Sequence, residues 1–252
     1  MINRTFTVDG PPDIEVRIES GRVELRLGRP EKVTVTVETK TPDFIVEQRG
    51  NSILVSSDKT TSWLSRGSAY VVIEAPEGSD LRVSVASAPI LADMPLGKVD
   101  VKSASGDVEL RSTESLTIKT ASGDAEVVSV DQSLTFASAS GDLRVRGKCL
   151  GNVSVSTASG DVYIADCEAT LNVNTASGDV NINRFTGRSG VFKGMSGDID
   201  LGIPRRTEID LDVNLLSGKL RVPDPEPRTG EPERQMSIRA KLVSGDLTLK
   251  RL

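Results

Sequence analysis

An all-β solenoid, built from stacked coils of about 18 residues, is the fold that this sequence predicts. Three observations carry the prediction. A phrase of the form (Thr/Ser)-Ala-Ser-Gly-Asp returns along the 252-residue chain, with its glycines at Gly106, Gly123, Gly141, Gly160, Gly178, Gly197, Gly218 and Gly245, in steps of 17, 18, 19, 18, 19, 21 and 27 residues. Apolar residues alternate with polar ones on both sides of each glycine, as in Val153, Val155, Thr157, then Val162 and Ile164. No stretch sustains the 3.6-residue period of a helix.

Alternation with period two places successive side chains on opposite faces, so each repeat reads as two short strands meeting at a corner. One such coil cannot close a core. Stacked coils can, each strand pairing with its copy one turn on, about 4.8 Å away. The inward columns are then Leu116, Ile118 and Thr120, with Val153, Val155 and Thr157 and with Leu171, Val173 and Thr175 above them. Leu215 and Leu242 at the Thr position support its inward assignment. The interior is aliphatic, with aromatic residues only 3% of the chain.

The pattern reaches the N-terminus in weaker form. Ile14, Val16 and Ile18 precede Gly21, with Val23 and Leu25 after it, and Leu81, Val83 and Val85 precede Ala88. Residues 1–80 are therefore expected to form irregular first coils or a β-rich N-terminal cap, continuous with the regular repeats of 81–252 in a single domain over 1–252. The Pro- and charge-rich stretch 223–235 reads as a loop insertion before the last coil.

The Ser-Gly-Asp phrase has two readings. As a corner, it uses a glycine able to reach positive φ and an Asp whose carboxylate accepts nearby turn amides. As a calcium ladder, it would need a Gly/Asp-rich turn on both sides of each coil. The opposite turns read "RSTES", "SVDQS" and "DCEAT", so the corner is the reading adopted. No cofactor or metal site is expected, because the chain has no histidine and only two cysteines. Cys149 and Cys167 lie one coil apart and read as small half-buried thiols, neighbours in adjacent coils.

Composition narrows the function classes. A net charge of −5 and few aromatics speak against a nucleic-acid partner. No apolar run has the length of a transmembrane segment. The start, "MINRTFTVDG", lacks the order of a signal peptide, which makes the cytoplasm the expected location, or the cell surface if the chain is truncated. Acidic residues follow the repeat rather than gathering in one irregular place, which argues against an enzyme. Trp63 and Leu64, in the polar stretch "TTSWLSRGS", are candidate partner-contact residues, with a lid over the end of the solenoid as the other reading.

The combination of "SGRVEL", a polar loop, "APEGSDLRV" and the ladder of "TASGDV" phrases resembles the bacterial putative-adhesin β-strand-repeat domain family, a family of unknown function, over about residues 10–250. The resemblance implies a β-helical fold and no known enzymatic activity. It carries over no site residues. The expected function is a non-enzymatic binding or scaffolding module that presents a rigid repetitive surface to a protein partner. A surface adhesin for a cell or glycan ranks second, and a carbohydrate-active β-helix enzyme third. The last strand, ending at Leu252, is expected to leave an open edge, which would form an end-to-end homodimer through the C-terminal coil or dock the partner.

Overall fold

The structure is a computed structural model that describes residues 1–40, 44–57, 68–223 and 232–252. Trp63, Leu64 and most of the 223–235 insertion lie outside the described residues. Among the described residues the secondary structure is all β, with no helix. Two compact units divide the chain, residues 1–127 and 128–252.

The first unit opens with β1 (Ile2–Thr7), β2 (Asp13–Leu27), β3 (Lys32–Thr39), β4 (Phe44–Arg49), β5 (Ser52–Ser57) and β6 (Ser68–Ala75). β2 is long because Gly21, at φ 118°, lets two alternating runs continue through a bend. Its first half pairs in parallel with β5 and with β7 (Asp80–Ser87), and its second half with β6 and β8 (Ile90–Lys102). Antiparallel pairs β1–β3, β3–β6 and β4–β5 complete the start of this unit. β8 then pairs in parallel with β9 (Val108–Lys119), and parallel pairing is the rule from there. Ile14, Val16, Val23, Leu25, Leu81, Val83 and Ala88 are all buried, as their alternation requires.

β10 (Ala125–Ser138) carries the chain into the second unit, where two ladders run side by side. One contains β10, β12 (Asn152–Thr157), β14 (Thr170–Thr175) and β16 (Ser189–Gly194). The other contains β11 (Leu143–Cys149), β13 (Val162–Cys167), β15 (Val180–Phe185) and β17 (Ile199–Ile203). Registers such as Leu134↔Val153↔Leu171↔Gly190 match each strand to its copy one repeat on, so equivalent apolar residues stack in columns.

Beyond β17 the order of strands in space departs from their order in sequence. β18 (Thr207–Ser217) and β19 (Leu220–Arg221) follow in the chain. Yet β16 pairs with β20 (Arg234–Ser244) and β17 with β21 (Leu247–Arg251). β20 and β21 pair in turn with β18 and β19. The C-terminal coil is thus inserted between its two predecessors. The expected open edge at Leu247–Leu252 is covered in part: β21 has β17 on one side along its length, and β19 on the other at Leu247 and Thr248. The end-to-end homodimer expected through the C-terminal coil finds no support here, and the outermost coil of this unit is β18–β19 and not the C-terminal one.

The corners divide into two kinds. At Gly106, Gly123, Gly141, Gly160 and Gly178 the glycine N–H donates to the hydroxyl three residues earlier, on Ser103, Thr120, Ser138, Thr157 and Thr175, at 2.7–2.9 Å. None of these five has a positive φ. Where the hydroxyl is replaced by Gly194, Leu215 or Leu242, the following Gly197, Gly218 and Gly245 sit at φ 121°, 132° and 130°. Without the hydroxyl to hold the N–H, the backbone turns through the region open to glycine alone. The expectation of positive φ is therefore met at Gly21 and in the last three corners, all without that hydroxyl. In the others glycine is needed for a different reason, since a Cβ on Gly160 would lie 2.0 Å from the carbonyl oxygen of Gly141.

Asp at the corner bonds to the next coil. The N–H of Asp124 donates to Asp107 Oδ1, and in the second unit Asp161 donates to Asp142, Asp179 to Asp161 and Asp198 to Asp179, at 2.8–3.0 Å. Asp246 donates to Asp198 and Lys219 to Asp246, which repeats the spatial order of the strands. Each carboxylate thus accepts a backbone donor that the strands do not use, which offsets the repulsion between stacked charges.

Candidate functional site

A repeat surface becomes informative where one copy differs from the others. The position between the corner hydroxyl and the Ser of Ser-Gly-Asp is Ala139, Ala158 and Ala176 in the earlier coils of the second unit. In the last three coils it is Met195, Val243 and Leu216. The inserted position of β20 makes these three consecutive in space, since Gly194 pairs with Leu242 and Leu242 with Leu215, each one residue before. The N–H of Ser244 donates to the carbonyl of Met195 at 2.9 Å, which fixes the same alignment. Met195 is 63% exposed, Val243 48% and Leu216 81%. Three large apolar side chains therefore form one column on the surface, and water covers them at a cost.

The column borders an open groove of about 590 Å3. Its lining crosses the ladder and includes Thr157, Thr175 and Leu242 together with Lys193 and Lys241. Both lysines are outward-facing strand residues paired in register with each other. The surface offers hydrophobic cover flanked by positive charge, with no carboxylate in the lining. At the end of the unit Leu220 and Val222 are also exposed, 43% and 49%, which extends the apolar surface around the closing coil.

Other groups with chemical potential are placed where they stabilise. Cys149 and Cys167 pair in register, confirming them as neighbours, but they are fully buried and not half-buried. Both thiols are free. Burial pushes the Cys149 thiol up to about 12 and the Cys167 thiol up to about 11. Both are then neutral and unreactive near pH 7. A thiol reagent is expected to leave them unmodified in the native protein and to label both in denaturant; rapid native labelling would contradict their burial. The raised values also set a sign. The unfolded chain ionises first, so this contribution to stability is full below about pH 9 and is lost as pH rises through the folded values near 11 and 12.

In the first unit the Tyr70 hydroxyl donates to Glu24, which Arg26 also binds at 2.8 Å. The Tyr70 bond is the main cause holding the Glu24 carboxyl low, and the same bond raises the Tyr70 phenol. This is a cross-strand contact on an exposed face, since Arg22 pairs with Tyr70 in the β2–β6 ladder. A smaller pocket of about 270 Å3 contains Arg184, Arg188 and Arg234. Arg184 is engaged by Asp166 at 3.6 Å and Arg234 by Glu233 at 3.8 Å, so most of its charge is answered within the chain. Among the described residues no group of three His, Cys, Asp or Glu is placed to hold a metal ion, and no helix is long and apolar enough to cross a membrane.

The sequence signal for the column was the loss of Ala at positions 195, 216 and 243. What the alternation could not supply was the stacking order that makes them neighbours. Trp63 and Leu64, the residues singled out from the sequence, lie outside the described residues.

These ladders of parallel strands with a recurrent Ser-Gly-Asp corner define a β-repeat domain with solenoid-like pairing. The chain belongs to the Toastrack DUF4097 family, which it matches over residues 12–250. Among solved structures it is similar to a "putative lipid binding protein" from Parabacteroides distasonis, at 16% identity and a TM-score of 0.56, covering 97% of this chain and 96% of that one. It is also similar to a "putative adhesin" from Bacteroides fragilis, at 12% identity and a TM-score of 0.47, covering 98% and 96%. A third, a "putative adhesin" from Parabacteroides merdae, has 11% identity and a TM-score of 0.42, covering 100% and 95%. At 16% identity the first of these likenesses speaks to the fold alone. No curated protein matches the chain.

Proposed function

We propose that the chain is a non-enzymatic binding module, a β-solenoid of coils near 18 residues whose rigid surface engages a protein partner at the closing end of the second unit. The observation that carries this reading is the column of Met195, Val243 and Leu216, exposed where the same position in earlier coils is alanine. A corner that folds equally well on alanine gains nothing in stability from three exposed large side chains. Covering them in a complex is worth on the order of 3–5 kcal/mol. Parallel ladders on both sides hold the column rigid, so little ordering entropy opposes binding. The groove's lining supports binding over catalysis, since its charged members are two lysines on exposed strand faces and no acid stands beside them.

A photo-crosslinking amino acid placed at Leu216 or at Val243 tests the reading in intact cells, with Arg144 on the outward face of β11 as control. A discrete protein adduct at the first two positions, absent at the third and strongly reduced by Met195→Asp, is expected. Adducts with lipid alone, or equal yields at all three positions, would overturn the proposal.

A further inference from the structure

The strand that closes the second unit is unfinished on its inner face. β18 pairs with β20 on one side, and among the described residues no strand pairs with its other side. Its inward residues Ile209, Leu211, Val213 and Leu215 are only half-buried. Their partners across the ladder, Met236, Ile238, Ala240 and Leu242, are at most 3% exposed. One more layer of aliphatic side chains would complete the core.

The outward face of the same strand is acidic. Glu208, Asp210 and Asp212 follow one another at alternate positions, all exposed, with Asn214 next. On the covered side β20 answers this pattern. Arg239 stands opposite Asp212, Lys241 opposite Asn214, and the Gln235 amide donates to the Glu208 carboxylate at 3.1 Å. The strand that β18 already accepts therefore alternates aliphatic residues inward with polar ones outward, Gln235, Ser237, Arg239 and Lys241, two of them basic.

We propose that the free edge of β18 takes a second strand of that same kind from its partner: an extended segment alternating aliphatic side chains with Lys or Arg. The unpaired N–H and C=O groups of the edge would supply main-chain hydrogen bonds, the half-covered layer would receive the aliphatic side chains, and the carboxylates would select the basic ones. This rests on the binding-module reading and names the partner's chemistry and its mode of attachment. A second copy of this chain fits less well. β18 laid against β18 sets carboxylates opposite carboxylates, which destabilises a strand pair, and the chain's own basic strand β20 is paired on both sides.

The test uses the full chain and a fluorescent peptide with the sequence RQMRIRAKLVS, a copy of residues 234–244 with Arg in place of the copy of Ser237, so that a basic residue stands opposite Asp210 in the register that β20 uses. Saturable binding at low salt is expected, weakening as salt rises. Asp210→Lys should weaken it about tenfold, and Asp210→Asn by less, while melting stays unchanged because Asp210 faces only Ser237 across the ladder. A peptide with Glu in place of the copies of Arg239 and Lys241 should fail to bind. Hydrogen exchange at residues 208–214 should slow when the first peptide is present. No saturable binding at about 1 mM peptide, binding indifferent to Asp210→Lys, or slowed exchange elsewhere would overturn strand addition. So would a chain that dimerises on its own with residues 208–214 protected, which would give the edge to a second copy. The two proposals can fail separately. Protein crosslinks at Leu216 without peptide binding would remove strand addition and keep the binding module; peptide binding without crosslinks would do the reverse.

Discussion

Replacing Gly160 by alanine is expected to destabilise the protein by about 3 kcal/mol, more than a single methyl group would suggest. The added Cβ would stand 2.0 Å from the carbonyl oxygen of Gly141 and 2.9 Å from Thr157 Oγ1. Carbon and oxygen without a bond need over an ångström more, and the obstructing atom is backbone. Neither backbone is free to retreat. Ser159 N–H donates to the Ala139 carbonyl at 3.0 Å, Asp161 N–H to Asp142 Oδ1 at 2.8 Å, and Gly160 N–H to Thr157 Oγ1 at 2.9 Å. Separating the coils stretches several of these bonds, each worth about 1 kcal/mol.

The natural comparison is Gly50→Ala. Gly50 has φ 60° and open space where the Cβ would go, so alanine there meets only the torsional cost of about 1 kcal/mol. Gly202 cannot serve as a mild control even though it lies outside the corners, because its Cβ would meet the Asn183 carbonyl at 1.8 Å. Urea unfolding of Gly160→Ala and Gly50→Ala therefore separates close approach from backbone strain. If Gly50→Ala proved the costlier, steric approach between coils would not be what the corner glycine provides.

That contrast shows where the sequence could be read and where it could not. Alternation around Val153, Val155, Val162 and Ile164 is enough to place them inside, because a strand has only two faces and one must be apolar. The repeat period is enough to predict parallel pairing of neighbouring copies. Stacking order is another matter. The coils carrying Gly218 and Gly245 have the same inward pattern, so either could follow the coil of Gly197 without exposing a core residue. What differs is the outward face, where Arg239 and Lys241 of β20 lie between the acidic β18 and the rest of the ladder. Placing β20 at the end would have left Asp210 and Asp212 inside the ladder. The alternation of polar residues along β18 and β20 held that information, but only as a difference in charge between two otherwise equivalent strands. The candidate site inherited the same ambiguity, since Met195, Val243 and Leu216 become a column only in the observed order.

Replacing Phe185 by alanine should cost about 4 kcal/mol. Phe185 is fully buried and continues the column of Cys149 and Cys167, placing an aromatic ring above two small thiols. Room for it comes from Gly190, which occupies an inward position between Leu171 and Ile238 in the ladder. A Cβ on Gly190 would lie 2.9 Å from Phe192 Cε2 and 3.2 Å from Phe185 Cε1, so the two rings fill the volume that an aliphatic residue fills elsewhere. Sequence and packing thus compensate within one coil. Gly190→Val alone should destabilise by about 2 kcal/mol through overpacking. In a Phe185→Ala background the same change should recover about 1 kcal/mol, because one of the two rings it would have struck is gone and the nearer one, Phe192, can shift into the space left. Denaturant unfolding of the four proteins gives the coupling directly. Strictly additive losses would mean that Gly190 is small for some reason other than the aromatic pair, and the proposed exchange of volume between positions 185 and 190 would have to be given up.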